Sequence, residues 1–208
     1  MSAPRHPIIG AILAGGASSR FGSPKALAMV DGARIIDRVR SAMEAAVDET
    51  VLIANEPELF AHLHLPTAGD RAPGLGPLAG VDAALRWATA RGASGALCVS
   101  CDLPFAPAGL LREIAARAEA GRAVVPEGAR GIEPLCARYP VSALGEIERL
   151  LASDDRSMRT LLAAVGTERI PADVARRFGD PEVLFFNVNT RDDLERAEGI
   201  ARRTHASS

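Results

Sequence analysis

Ile8-Ile9-Gly10-Ala11-Ile12-Leu13, running into Ala14-Gly15-Gly16-Ala17-Ser18-Ser19-Arg20-Phe21-Gly22-Ser23-Pro24-Lys25, is the stretch that decides the fold. A short apolar run stopped by glycines reads as a buried strand opening into a loop. Beyond the loop, Ile35, Ile36, Val39, Ala42, Met43 and Ala46 recur at helical spacing and predict an amphipathic helix over 33–46. Thr50-Val51-Leu52-Ile53-Ala54 predicts the second strand. Strand, glycine loop, helix and strand in that order open a doubly wound α/β sheet, whose ligands sit beyond the carboxyl ends of the strands.

The loop itself carries chemistry. Consecutive Gly15 and Gly16 let the backbone approach a ligand closely and free N–H groups to face anions. It is neither of two common phosphate signatures: no G-x-G-x-x-G is present, and Gly22 is followed by Ser23 where a P-loop has lysine. Lys25 is the one lysine among 24 basic residues. In a chain that otherwise uses arginine, a lysine supplies a compact, strongly hydrated point charge on a flexible stem, suited to a phosphate oxygen. Arg20, in the same loop, can reach the same place.

Outward from the loop, strands and helices alternate. A short helix is expected over 56–61 and a third strand over 65–68. A Gly/Pro loop covers 69–77 and a helix 78–90. The nearly continuous apolar run 95–100 reads as a strand buried on both faces. Helix 107–120, strand 123–125, a polar loop over 126–133, strand 135–139, helices 141–151 and 157–165, strand 183–188 and helix 191–202 complete the reading. The pattern predicts an α/β fold with a mostly parallel central sheet and helices on both faces. One domain over 1–208 is expected, ordered from about 8 to 201, with a flexible tail over 202–208.

Composition excludes several functions. The net charge of -2 leaves no basic footprint for nucleic acid, and only 4% of residues are aromatic, few for stacking bases. No apolar run approaches the ~20 residues of a transmembrane helix, and residues 1–7 have no signal-type apolar segment, so a cytoplasmic protein is expected. Cys98 and Cys101 form a C-x-x-C pair, but no second such pair or H-x₃₋₅-H accompanies it, and buried structural thiols are the favoured reading. His6, His62, His64 and His205 stand outside every motif.

Three further segments place polar groups near strand ends. Asp102, in Ser100-Cys101-Asp102-Leu103-Pro104, follows the central strand; it can hold Mg²⁺ shared with substrate phosphates or simply cap the next helix. Asp70 to Gly80 is a glycine-proline loop opening a helix, flat enough to pack on a planar base or merely a tight connection. In Phe186-Asn187-Val188-Asn189-Thr190, an asparagine at the strand end faces the crevice, or Thr190 or Asn189 caps the last helix with Asp193 closing a capping box, the reading the segment favours by itself.

Together these segments resemble the molybdenum cofactor guanylyltransferases, nucleotidyltransferases with a Rossmann-like fold. The resemblance runs from Ile9 to about Ile200. It is carried by Leu13-Ala14-Gly15-Gly16, Ser18-x-Arg20-Phe21-Gly22, Lys25, Asp70, Gly76-Pro77-Leu78-Ala79-Gly80, Cys101-Asp102-Leu103-Pro104, Pro134-Leu135-Cys136-Ala137 and Phe186-Asn187-Val188-Asn189-Thr190. It implies transfer of GMP from GTP to the terminal phosphate of molybdopterin, with release of pyrophosphate. Leu13, Ala14, Gly15, Gly16, Ser18, Asp70, Gly76, Pro77 and Leu78 would hold the nucleotide. Lys25 and Arg20 would hold its triphosphate, and Asp102 and Asn189 would hold Mg²⁺. The loop over 126–133, with Asn187 and Asn189, would face the pterin. Contacts with cofactor-biosynthesis proteins or apo-molybdoenzymes would be transient. Ile53 stands where family members can carry a nucleotide-binding asparagine, and Asn55 lies two residues on. The alternatives are a cytidylyltransferase using CTP on the same pterin, whose relatives usually read Leu-Ala-Ala-Gly in the first motif, and a non-catalytic nucleotide-binding adaptor of molybdoenzyme maturation.

Overall fold

The computed structural model describes residues 7–15, 24–71, 74–117 and 121–206. In chain order the strands are β1 (Ile8–Leu13), β2 (Met29–Val30), β3 (Ala33–Arg34), β4 (Glu49–Ile53), β5 (Thr67–Ala68), β6 (Gly95–Ser100), β7 (Ala123–Gly128), β8 (Gly131–Ile132), β9 (Cys136–Pro140) and β10 (Thr167–Ile170). The α-helices are α1 (Ile35–Glu44), α2 (Pro77–Ala90), α3 (Ala108–Ala116), α4 (Leu144–Leu151), α5 (Met158–Val165), α6 (Ala172–Ala175), α7 (Pro181–Leu184) and α8 (Arg191–Ala206). The main sheet runs β10-β7-β9-β6-β1-β4-β5, with β8 paired to β7, while β2 and β3 form a separate hairpin. β1 is parallel to β4 and β6, β4 to β5, and β7 to β10; β9 is antiparallel to β6 and β7.

Side-chain alternation along the central strands splits the core in two. Ile9, Ala11 and Leu13 of β1, with Ala96 and Cys98 of β6, pack under α2, α4 and α5. Ile12 of β1, with Leu97 and Val99 of β6, packs under α1 and α3 on the other face. Both faces of β6 are therefore covered, which is why its sequence shows no polar alternation. The sheet with helices on either side agrees with the fold class read from the sequence. Gly95 is required by the antiparallel neighbour, because a Cβ there would lie 2.4 Å from the backbone oxygen of Tyr139.

Four local readings are corrected. The segment 183–188 is not a strand: Asp180 caps α7 by accepting from the Glu182 N–H at 3.0 Å, Pro181 starts the helix, and 185–190 continues irregularly. Burial of Leu184, Phe185 and Val188 produces an apolar run without a sheet. The loop over 126–133 is a hairpin, β7 extending to Gly128 and β8 returning from Gly131, whose φ is +119°. β10 went unseen because Thr-Glu-Arg-Ile is polar, as an edge strand with one buried side chain permits. The last helix runs to Ala206, past its expected end at 202.

Candidate active site

The carboxyl ends of β1, β4 and β6 lie level, Leu13 standing opposite both Ile53 and Ser100. Backbone bonds pin the mouth of the sheet: the Ala14 N–H donates to Ile53 at 2.8 Å and the Cys101 N–H to Leu13 at 3.0 Å. From β1 the chain crosses to β4 on one side, and β6 lies on the other, so the order reverses here and opens a crevice. A cleft of about 880 Å³ fills it.

On one wall Lys25 begins a short 3₁₀ turn, Lys25–Leu27. Its Nζ donates to Oδ2 of Asp102 at 2.6 Å and to Oδ1 of Asn189 at 2.8 Å. Asp102, next but one after β6, is buried, and its Oδ1 has no hydrogen-bond partner among the described residues. The Val188 N–H donates to the Asp102 carbonyl at 3.0 Å, which fastens the irregular 185–190 segment to the strand end and delivers Asn189 without a strand of its own. The capping box falls on Thr190: its Oγ1 accepts from the Asp193 N–H at 3.1 Å, and Asp193 Oδ2 accepts from the Thr190 and Asn189 N–H groups. The Asn189 side chain is thereby left for Lys25. Asn187 turns its amide to the Phe185 carbonyl at 3.4 Å.

Asp70 and Asn55 stand on the opposite wall with Gly15, Gly74, Gly76, Pro77 and Gly80. Gly74 and Gly76 take φ of +83° and +79°, so the turn into α2 needs glycine at both. The Asp70 N–H donates to Asn55 Oδ1 at 2.9 Å, and Asn55 Nδ2 donates to Asp70 Oδ2 at 3.3 Å. Burial raises the Asp70 carboxyl above its usual range, the Asn55 bond works the other way, and the charge of Asp82 adds to the rise.

Of the expected site residues, Leu13, Ala14, Gly15, Lys25, Asp70, Gly76, Pro77 and Asp102 line this one cleft. Asn189 joins it through Lys25. Leu78 does not line it: its side chain lies on the inner face of α2, fully buried in the core. Gly16, Ser18 and Arg20 lie outside the described residues. In the sequence Asn55 stands only as a neighbour of Ile53 that could stand in for the missing second-strand asparagine; nothing in its spacing reveals a partner 15 residues away. Cys98, Cys101 and Cys136 are buried and free, and burial pushes the Cys101 and Cys136 thiols up to about 12, so the C-x-x-C pair is structural rather than reactive. No helix among the described residues is long and apolar enough to cross a membrane.

Comparison with known proteins identifies a family. The family described as MobA-like NTP transferase domain matches residues 10–174. A molybdenum cofactor guanylyltransferase of Desulfosudis oleivorans is 35% identical over 94% of this chain and 96% of its own length. One of Acidiphilium cryptum is 36% identical over 90% and 92%. The crystal structure of molybdopterin-guanine dinucleotide biosynthesis protein A from Archaeoglobus fulgidus superposes with a TM-score of 0.78 at 28% identity, covering 94% of this chain and all of that one.

Proposed function

The chain belongs to the MobA-like NTP transferase family and, within it, to the molybdenum cofactor guanylyltransferases, and we propose that its cleft transfers GMP from GTP to the terminal phosphate of molybdopterin, releasing pyrophosphate. The observation that carries the site assignment is the convergence of Lys25, Asp102 and Asn189 at the carboxyl ends of β1 and β6, facing Asp70 across the cleft.

The nucleophile is a phosphate oxygen, anionic at neutral pH, so the reaction needs no general base. The protein's task is to align that oxygen with the α-phosphorus and to offset charge gathering on the leaving pyrophosphate. Lys25 supplies a mobile positive charge beside the phosphates. The glycine-lined wall and Asp70 hold the nucleoside, so that the α-phosphate lies toward Asp102. Arg20, outside the described residues, is the second cation proposed for the triphosphate. The hairpin of β7 and β8, with Asn187 and Asn189, lies on the pterin side.

The donor set fits Mg²⁺. Asp102 offers a buried carboxylate oxygen with no hydrogen-bond partner among the described residues, and Asn189 an amide oxygen. Among the described residues no three His, Cys, Asp or Glu side chains group as a dedicated metal cage. That suits a hard cation that takes one or two protein oxygens and completes its shell with water and substrate phosphates. When bound, Mg²⁺ supplies Lewis-acid charge at the α-phosphate. A cytoplasmic location, close to apo-molybdoenzymes, follows from this reading.

Calorimetry with Mg²⁺ and GTP, CTP or ATP tests it on the wild type and on Asp102→Ala. GTP preference weakened in the variant, with Mg²⁺-dependent pyrophosphate release on adding molybdopterin, is expected. CTP preference would move the protein to the cytidylyl branch, and binding without pyrophosphate release would make it an adaptor.

A further inference from the structure

We propose that Asn55 is a positioning residue that sets the Asp70 carboxylate for donors of the bound nucleotide. The inference rests on the nucleotide site described above. Asn55 and Asp70 each lie two residues beyond the ends of adjacent parallel strands, Ile53 of β4 being paired with Ala68 of β5. The backbones are tied there by the Ala54 N–H donating to Ala68 at 2.9 Å. Above that tie the Asn55 side chain makes a two-way bracket. Its Oδ1 accepts from the Asp70 N–H at 2.9 Å, and its Nδ2 donates to Asp70 Oδ2 at 3.3 Å.

The orientation of the amide is forced. A backbone N–H only donates, so the oxygen must face it, and the NH₂ must then face the carboxylate. Aspartate in this place would keep the acceptor and lose the donor; an apolar residue would lose both. The Asn55 donor is also the group that favours the charged form of Asp70, against burial and the charge of Asp82, which is itself held by Arg86 at 2.8 Å. Asp70 is thereby kept as a fixed, acceptor-only carboxylate.

Two glycines border this carboxylate. A Cβ on Gly15 would lie 3.5 Å from Asp70 Oδ2, and one on Gly80 would lie 3.9 Å from Asp70 Oδ1 and 3.5 Å from Leu13. Those are ordinary contact distances, and neither glycine has a positive φ. Among the described residues, a methyl group at either position would meet nothing closer than 3.5 Å. Asp70 lines the cleft, and its Oδ1 is buried with no hydrogen-bond partner among the described residues. A buried carboxylate oxygen without a donor is unfavourable until something supplies one. In this cleft the donors are N–H or O–H groups of the base or sugar.

The test compares wild type, Asn55→Ala, Asn55→Asp, Asp70→Asn and Asn55→Ala/Asp70→Asn, with thermal melting to establish folding and calorimetry plus steady-state kinetics to read GTP. Losing both hydrogen bonds of the bracket, one of them to a charged group, is expected to raise Kd and KM for GTP about tenfold in Asn55→Ala, with a smaller change in kcat. Asn55→Asp preserves the bond to the Asp70 N–H, so it restores binding if Asn55 only holds the loop. Here it is expected to bind GTP no better than Asn55→Ala. In the Asp70→Asn background, Asn55→Ala should add little further loss. Wild-type-like GTP binding by Asn55→Asp, or a full additive loss in the double variant, would overturn the positioning role while leaving the nucleotide site standing. Undiminished GTP binding by Asp70→Asn would instead overturn the site reading beneath it.

Discussion

Nζ of Lys25 lies 2.6 Å from Oδ2 of Asp102, across 77 positions of sequence. The same ammonium reaches Asn189, so one cation engages both side chains suited to hold Mg²⁺. The pair is mostly shielded, with side-chain exposures of 22% and 9%. In that setting a full charge on a flexible stem can turn between carboxylate and phosphate, which a planar guanidinium cannot do with the same reach. Lys25→Ala and Asp102→Ala are each expected to lower GMP transfer by about 10²–10³-fold. Lys25→Arg should also fall well below wild type. Single-turnover assays on variants with wild-type far-UV spectra check this, and wild-type turnover in any of the three would remove the residue from the mechanism.

Metal binding should respond to the same pair in the opposite sense. Without nucleotide, the Lys25 ammonium competes for the Asp102 and Asn189 oxygens. Replacing it with an uncharged side chain of similar length frees them and removes a like charge. Lys25→Met is therefore expected to bind Mn²⁺ alone about tenfold more tightly than wild type, read by the loss of the free-ion paramagnetic resonance signal. Equal or weaker binding would mean that Lys25 does not contend for these oxygens.

The central architecture was legible because burial and periodicity agree there. The run Gly95–Ser100 has no polar alternation, and both of its faces are covered. Lys25 and Asp102 were legible because a rare residue type and a strand-end carboxylate stand out in sequence. Asn189 was harder: it is brought in by an irregular segment tied through the Val188 N–H, and the apolar stretch before it imitates a strand. The Asn55–Asp70 bracket was invisible, since it depends on the register of β4 with β5, a tertiary fact that no local pattern encodes. Thr-Glu-Arg-Ile of β10 failed for the converse reason: its sheet position is set by its partner, β7, rather than by its own apolar content.

Gly95 offers a test of the sheet itself. It pairs with Pro140 in the antiparallel β6–β9 ladder, and a methyl group would meet the Tyr139 carbonyl oxygen and the Pro140 backbone. Backbone atoms in a central strand cannot swing aside as a side-chain tip can. Gly95→Ala is expected to cost about 2–3 kcal/mol of stability, measured by urea denaturation with an unchanged m-value. A loss below about 0.5 kcal/mol would show that the ladder yields there.

Glu133 supplies a pH-dependent counterpart. It follows β8 and turns its carboxyl back over Gly128 and Phe185; a Cβ on Gly128 would lie 2.5 Å from its Oε1. Burial lifts its carboxyl from 4.5 to about 7, with the nearby Arg130 opposing the rise. Because the folded value lies above the unfolded one, its contribution is most favourable below pH 4.5 and is lost as pH rises through 7. Above that, the fold carries a half-buried carboxylate that the unfolded chain would solvate freely. Glu133→Gln removes the charge while keeping the shape, so the variant should gain on wild type by about 1–2 kcal/mol at pH 8, after allowing for partial solvent screening. Near pH 4 the two proteins should melt together, since both side chains are then largely neutral. A difference in stability that does not change between pH 4 and pH 8 would show that the effect is one of packing at the hairpin and not of ionisation.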